Sequence, residues 1–98
     1  MNRVRVSDQV EAFVKSLAPD PRKALRGAIK GLADGAGDTK PLEASLEAWQ
    51  RLRVQNYRVI YKEVFESGTR TVDCVYANRR SVVYDLFKEL LRNQLLRD

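Results

Sequence analysis

The chain has 98 residues, 44% of them hydrophobic and 32% charged, with one Cys and no His. This composition fits one globular domain over residues 1–98 with a modest core, and excludes zinc sites and His-dependent catalysis. Basic residues outnumber acidic ones 18 to 13, and the excess is uneven: net +1 over residues 1–49 and +4 over residues 50–98, where eight of ten basic residues are Arg. Arg is suited to phosphate because its planar fork bonds bidentately and stays charged. No apolar run approaches the ~20 residues of a membrane span, and no secretory signal pattern opens the chain. The lone thiol, Cys74, cannot form an internal disulfide, so a reducing cytoplasm is expected.

In chain order, Arg3-Val4-Arg5-Val6 alternates polar and apolar residues and predicts a short strand, available as a sheet edge. Asp8 with Glu11 resembles a capping box, with Asp8 as the N-cap. Val10, Phe13, Val14 and Leu17 then recur at helical spacing. Pro19-Asp20-Pro21 ends this helix, and Pro21 is placed to open a second one carrying Leu25, Ala28, Ile29 and Leu32. Asp34 to Pro41, with Gly35 and Gly37, reads as a loop, and no Lys-Ser/Thr follows the glycines as a P-loop would require. From Trp49 the period becomes two. Trp49–Val54, Tyr57–Val64 and Thr71–Ala77 predict three strands joined at Gln55-Asn56 and Glu66–Thr69. Helical spacing returns from Val82, through Val83, Leu86, Phe87, Leu90 and Leu91. The expected order is β-α-α-β-β-β-α. That is an α+β domain: a small antiparallel sheet packed by an N-terminal helical hairpin and a C-terminal helix.

The hairpin register separates two faces. A two-residue turn at Gln55-Asn56 pairs Val54 with Tyr57, Arg53 with Arg58 and Leu52 with Val59. Leu52, Val54, Tyr57, Val59 and Tyr61 then share a core face, joined by Val72, Cys74 and Tyr76 from the next strand. Trp49, Arg51, Arg53, Arg58, Ile60 and Lys62 share the other, and continued alternation brings Arg79 to it. Like charges directly opposed on a sheet cost roughly 0.2–1 kcal/mol per pair. Asp73 offers Lys62 a partner, but no carboxylate stands near the arginines in the predicted strands. Such a face suits a polyanion. Cys74 reads as an inert core residue, and Trp49 as a core-edge residue able to stack on a base.

Arg51-x-Arg53, the strand Tyr57-Arg58-Val59-Ile60-Tyr61, and Asn78-Arg79-Arg80 followed by Tyr84 resemble the RelE/ParE superfamily of bacterial type II toxins. The order of elements resembles it too, over nearly the whole chain. The resemblance implies a RelE-like fold related to microbial ribonucleases, and a small cognate antitoxin that wraps the toxin. RelE-like members cut mRNA in the ribosomal A site, whereas ParE-like members poison DNA gyrase and generally lack the Tyr on the C-terminal helix. Tyr84 therefore favours the RelE-like branch, a metal-independent endoribonuclease that inhibits translation. A gyrase inhibitor is the alternative, as is a degenerate toxin that only binds its antitoxin and reaches operator DNA through it.

By this resemblance Arg58, Arg79 and Tyr84 are the catalytic candidates, and Arg51, Arg53, Lys62, Arg80 and Trp49 the RNA-binding ones. An ungapped match back from Tyr84 puts Asn78 at the family's acid-side arginine; Arg79 takes that place if the loop shifts by one. No cofactor or membrane partner is expected. Arginines can stabilise a phosphorane by preorganised hydrogen bonds, but serve poorly in proton transfer because their pKa exceeds ~12. A site of this kind relies on aligning its substrate.

Overall fold

The computed structural model describes residues 2–42, 46 and 48–96. Strand β1 (Asn2–Val6) leads into helices α1 (Asp8–Lys15) and α2 (Pro19–Gly31), and a short 3-10 turn covers Leu32–Asp34. Four strands follow: β2 (Asp38–Pro41), β3 (Gln50–Val54), β4 (Tyr57–Glu66) and β5 (Thr69–Arg79). Helix α3 (Val83–Leu96) ends the described chain. The α+β architecture matches the expectation, with one more strand. The five strands lie in the order β1-β5-β4-β3-β2, antiparallel except for the parallel β1–β5 pair.

The extra strand is β2. Its sequence, Asp-Thr-Lys-Pro, has no apolar alternation and is exposed throughout, so it carries no strand signal of its own. Pairing with β3 makes it a strand, and Pro41 is tolerated because β2 is an edge.

Both helix starts differ from the expected ones by small steps. Ser7, not Asp8, caps α1: its Oγ accepts the Val10 N–H at 3.2 Å, while Asp8 sits in the first turn. Helix α2 begins at Pro19 rather than Pro21. Both prolines fall in the first turn, where N–H groups have no partner within the helix.

The helical hairpin covers one sheet face. There Val10, Val14, Leu17, Leu25, Ile29 and Leu32 bury against Leu52, Val59, Tyr61, Val72, Cys74 and Ala77. On the opposite face α3 brings Val83 and Phe87 onto Ile60, with Trp49, Val75, Tyr76, Tyr84 and Leu91 packed around them. Among the described side chains of α3, Val83 and Phe87 are buried and Tyr84 and Leu91 half-buried, whereas Leu86 and Leu90, with Val82 just before the helix, stay exposed.

A bulge sets the register near the site. Ile60 pairs with Tyr76 and Tyr61 with Cys74, so Val75 is the extra residue on β5. Ser7 Oγ donates to the Val75 carbonyl at 2.9 Å. Beyond the bulge every β5 residue changes face relative to simple alternation. Tyr76 therefore joins the α3 side rather than the hairpin core, Asn78 lies opposite Arg58, and Arg79 lies opposite Tyr57.

Candidate functional site

The β3–β4 hairpin has the predicted register, with Arg53 opposite Arg58 and Arg51 opposite Ile60. The two opposed arginines differ in what they do. Arg58 is 6% exposed, and its Nη1 donates to the carbonyls of Gln55 at 3.0 Å and Tyr57 at 2.8 Å. It is a buried strut of the hairpin turn, whose Gln55 takes a left-handed conformation (φ 54°). Arg53 points into solvent with 58% of its side chain exposed.

The expectation that no carboxylate stands near the arginines is overturned by β2. Asp38 lies opposite Arg53, and its carboxylate is 3.3 Å from Arg51 Nη1 and 3.9 Å from Arg53 Nε. Arg51 also donates to the Asp38 carbonyl at 3.0 Å. Nothing in the local sequence signals this contact, because it depends on pairing β2 with β3.

Lys62 does pair with Asp73 in register, but the Asp73 carboxylate goes to Arg5, with contacts at 3.4 and 3.5 Å. The Lys62 ammonium lies 4.9 Å over the Trp49 ring, which also meets Phe87 edge-on at 5.1 Å. Trp49 is thus engaged at the core edge. Cys74 is buried, and burial pushes its thiol up to about 12, as befits an inert core residue.

Tyr84, in the first turn of α3, packs beside Ile60 and Phe87 and lines a cleft of about 310 Å³ between the sheet and α3. Arg51 lines the same cleft, as do Lys40 and Lys88, which sequence reasoning did not single out. Lys88 follows Tyr84 by four residues and so shares its helix face. Lys40 carries no such signal. Arg79 and Arg80 are exposed elsewhere, lining a shallow cleft of about 410 Å³ with Asn56 and Ser81. Asn78 Oδ1 accepts the Arg79 N–H at 2.8 Å, and the Arg80 N–H donates to the Asn56 carbonyl at 2.8 Å. The structure thus joins Arg51 to Tyr84, places Arg53 beside Arg58, and keeps Arg79 with Arg80 by the hairpin turn. Among the described residues, no group of three or more His, Cys, Asp or Glu side chains could hold a metal ion, and no helix is long and apolar enough to cross a membrane.

No protein-family profile and no curated protein matches the sequence. Solved structures do match. A YoeB/ParE toxin from Agrobacterium tumefaciens superposes with a TM-score of 0.64 at 10% identity, over 80% of this chain and 98% of that one. The RelBE toxin–antitoxin complex of Mycobacterium tuberculosis gives 0.62 at 20% identity, over 80% and 96%. An archaeal RelE–RelB complex from Pyrococcus horikoshii gives 0.60 at 21%, over 81% and 94%. The chain has the RelE/ParE toxin fold. In this RelE-like frame the arginine-bearing hairpin and α3 bound the candidate site, with β2 as the strand that supplies Asp38 and Lys40 to it.

Proposed function

We propose that this protein is the toxin of a toxin–antitoxin pair, acting in the cytoplasm by cutting messenger RNA on the ribosome. The observation that carries this reading is the cleft shared by Arg51 and Tyr84 at the junction of sheet and α3, with Arg53 on the adjoining face. The similar structures from Mycobacterium tuberculosis and Pyrococcus horikoshii are a toxin–antitoxin complex and a RelE–RelB complex, which supports a cognate antitoxin as partner.

Internal cleavage of RNA needs the 2′-oxygen in line with the adjacent phosphorus. The 2′-O–P bond forms as the P–O5′ bond breaks, leaving a 2′,3′-cyclic phosphate and a 5′-hydroxyl. In this reading Arg51 and Arg53 hold the phosphate and stabilise its developing charge. Tyr84 hydrogen-bonds the 2′-hydroxyl and directs its proton to water, and the departing 5′-oxygen takes a proton from water. Arg58 acts from beneath through its fixed charge, and Arg79 and Arg80 bind the strand at the rim. Lys62 and Trp49, already engaged with each other, contribute to the surface the strand crosses. Catalysis in this reading rests on alignment of the substrate by the ribosome.

A second reading, a gyrase-binding inhibitor, is favoured by one feature. Of Arg58, Arg79 and Tyr84, only Tyr84 lines the cleft, and Arg58 is committed to backbone carbonyls. Induced expression in growing cells, with mapping of mRNA 5′ ends, separates the readings. New 5′ ends inside codons are expected. Intact messages with an SOS response would replace the ribonuclease by the gyrase reading.

A further inference from the structure

The cleft beside Tyr84 holds more charge than the hairpin arginines alone supply. Lys40 on β2 lies directly opposite Arg51 on β3, so two cations face each other across the strands. Such a pair is destabilising without an anion between them. Asp38 answers Arg51, but no carboxylate among the described residues pairs with Lys40 or with Lys88. Lys88 stands one helical turn beyond Tyr84 on the opposite wall. Pro41, Leu42 and Leu46 form the apolar part of the lining.

We propose that this cleft is a subsite for one nucleotide of single-stranded RNA, in which Lys40 and Lys88 hold the flanking phosphates and Pro41, Leu42 and the Tyr84 ring receive the base. The assignment rests on the ribonuclease reading and extends it to two lysines outside the arginine hairpin. Its volume, about 310 Å³, falls within the range of small-ligand sites. An apolar lining beside an aromatic ring suits a base, which stacks without sequence preference, and cations on both walls suit the two phosphates that flank it. An acidic peptide would satisfy the cations but leave that lining without a planar occupant.

The test uses the full chain and a short fluorescein-labelled oligouridylate, with binding followed by anisotropy across a salt series. Lys40 and Lys88 are exposed, so the K40Q/K88Q variant retains its fold by circular dichroism. It is expected to bind about tenfold more weakly, with a salt slope smaller by about 1.4, corresponding to two lost single-strand phosphate contacts. Equal affinity and slope in the two proteins, or no measurable binding by the wild type, would overturn the subsite. So would polyglutamate displacing the RNA more tightly than unlabelled oligouridylate does. Message cleavage in cells is scored separately. Cleavage unchanged in the variant, with its RNA affinity also unchanged, sinks the subsite alone. Lysine-dependent binding without any cleavage by the wild type sinks the ribonuclease reading alone.

Discussion

Arg58 and Arg53 face each other across one hairpin, yet truncating them should have opposite consequences. The Arg58 guanidinium is buried and bonded to two turn carbonyls, so Arg58→Ala leaves both carbonyls without that donor. A loss of about 1.5–3 kcal/mol is expected in urea unfolding. Arg53→Ala removes an exposed side chain 3.9 Å from Asp38, and should change stability by less than ~0.5 kcal/mol while reducing toxicity. A neutral Arg58→Ala would show that the buried bonds carry no weight. In the ribonuclease reading the Asp38 carboxylate, 3.3 Å from Arg51 Nη1, competes with phosphate for that arginine, so Asp38→Asn should tighten RNA binding several-fold in the same anisotropy assay; weaker binding would mean that Asp38 positions Arg51 for its ligand. Two other side chains contribute to stability at the pH extremes. Arg70 Nη2, 3.0 Å from Glu63, holds the Glu63 carboxyl below its ordinary value of 4.5 by hydrogen bond and charge. Because the folded value is lowered, this contribution is complete above about pH 4.5 and is lost as pH falls through the folded value. Burial raises Cys74 from 9.0 to about 12, so the unfolded chain releases that proton first and stability falls as pH rises between those values. Glu63→Gln should flatten the acid limb of a stability–pH curve and Cys74→Ala the alkaline one. The arginine pair of the site was legible because period-two alternation and a two-residue turn fix register. The carboxylate beside it was not, since contact with Asp38 is tertiary.

Elements were legible where they carry their own apolar period. Helices α1, α2 and α3 and strands β3 to β5 all do, and each was placed within a few residues. Strand β2 does not; Asp-Thr-Lys-Pro becomes a strand only because β3 offers it an edge. The β5 bulge was invisible for a related reason. Val75 and Tyr76 both have strand character, so neither announces which is the extra residue. The misplacement of Tyr76 and Arg79 follows from that one residue. Beyond the bulge β5 stays paired with β4, but on its β1 side a side chain takes over. β1 stops pairing at Val6 opposite Cys74, and the Gln9 amide continues the ladder, donating to the Ala77 carbonyl at 2.7 Å and accepting the Ala77 N–H at 2.8 Å. Ala77 is fully buried, so Gln9→Ala strands both backbone groups away from water. A loss of about 1–3 kcal/mol is expected, with faster hydrogen exchange at Ala77. Retained protection of that amide would show that another group closes the ladder.

At the scale of the whole molecule, the sheet's two faces are unequally sealed. The hairpin side buries a broad apolar layer from α1, α2 and the sheet, whereas α3 is held by Phe87 and Val83 on Ile60, with Leu86 and Leu90 left in solvent. The exposed cations Arg53, Lys40 and Lys88 gather on the side that α3 only partly covers, with Arg79 and Arg80 beside the hairpin turn. An antitoxin that sets carboxylates against these cations would remove their mutual repulsion and cover the open apolar ridge in one step. A ligand that binds only the folded chain stabilises it by mass action, about 2.7 kcal/mol at a free concentration 100 times Kd. For a domain of this size each kcal/mol moves the melting temperature by roughly 4–8 °C. The complex at that excess should therefore melt about 10–20 °C above the free chain. The electrostatic share of the gain arises from charges at the surface, where the Debye length is ~8 Å at physiological ionic strength and ~3 Å at 1 M. Calorimetry of the free and bound chain in low and high salt, at fixed partner concentration, measures both quantities. The shift should shrink as salt rises. A shift independent of salt would show that the partner binds through apolar contacts alone and leaves the cationic face uncovered.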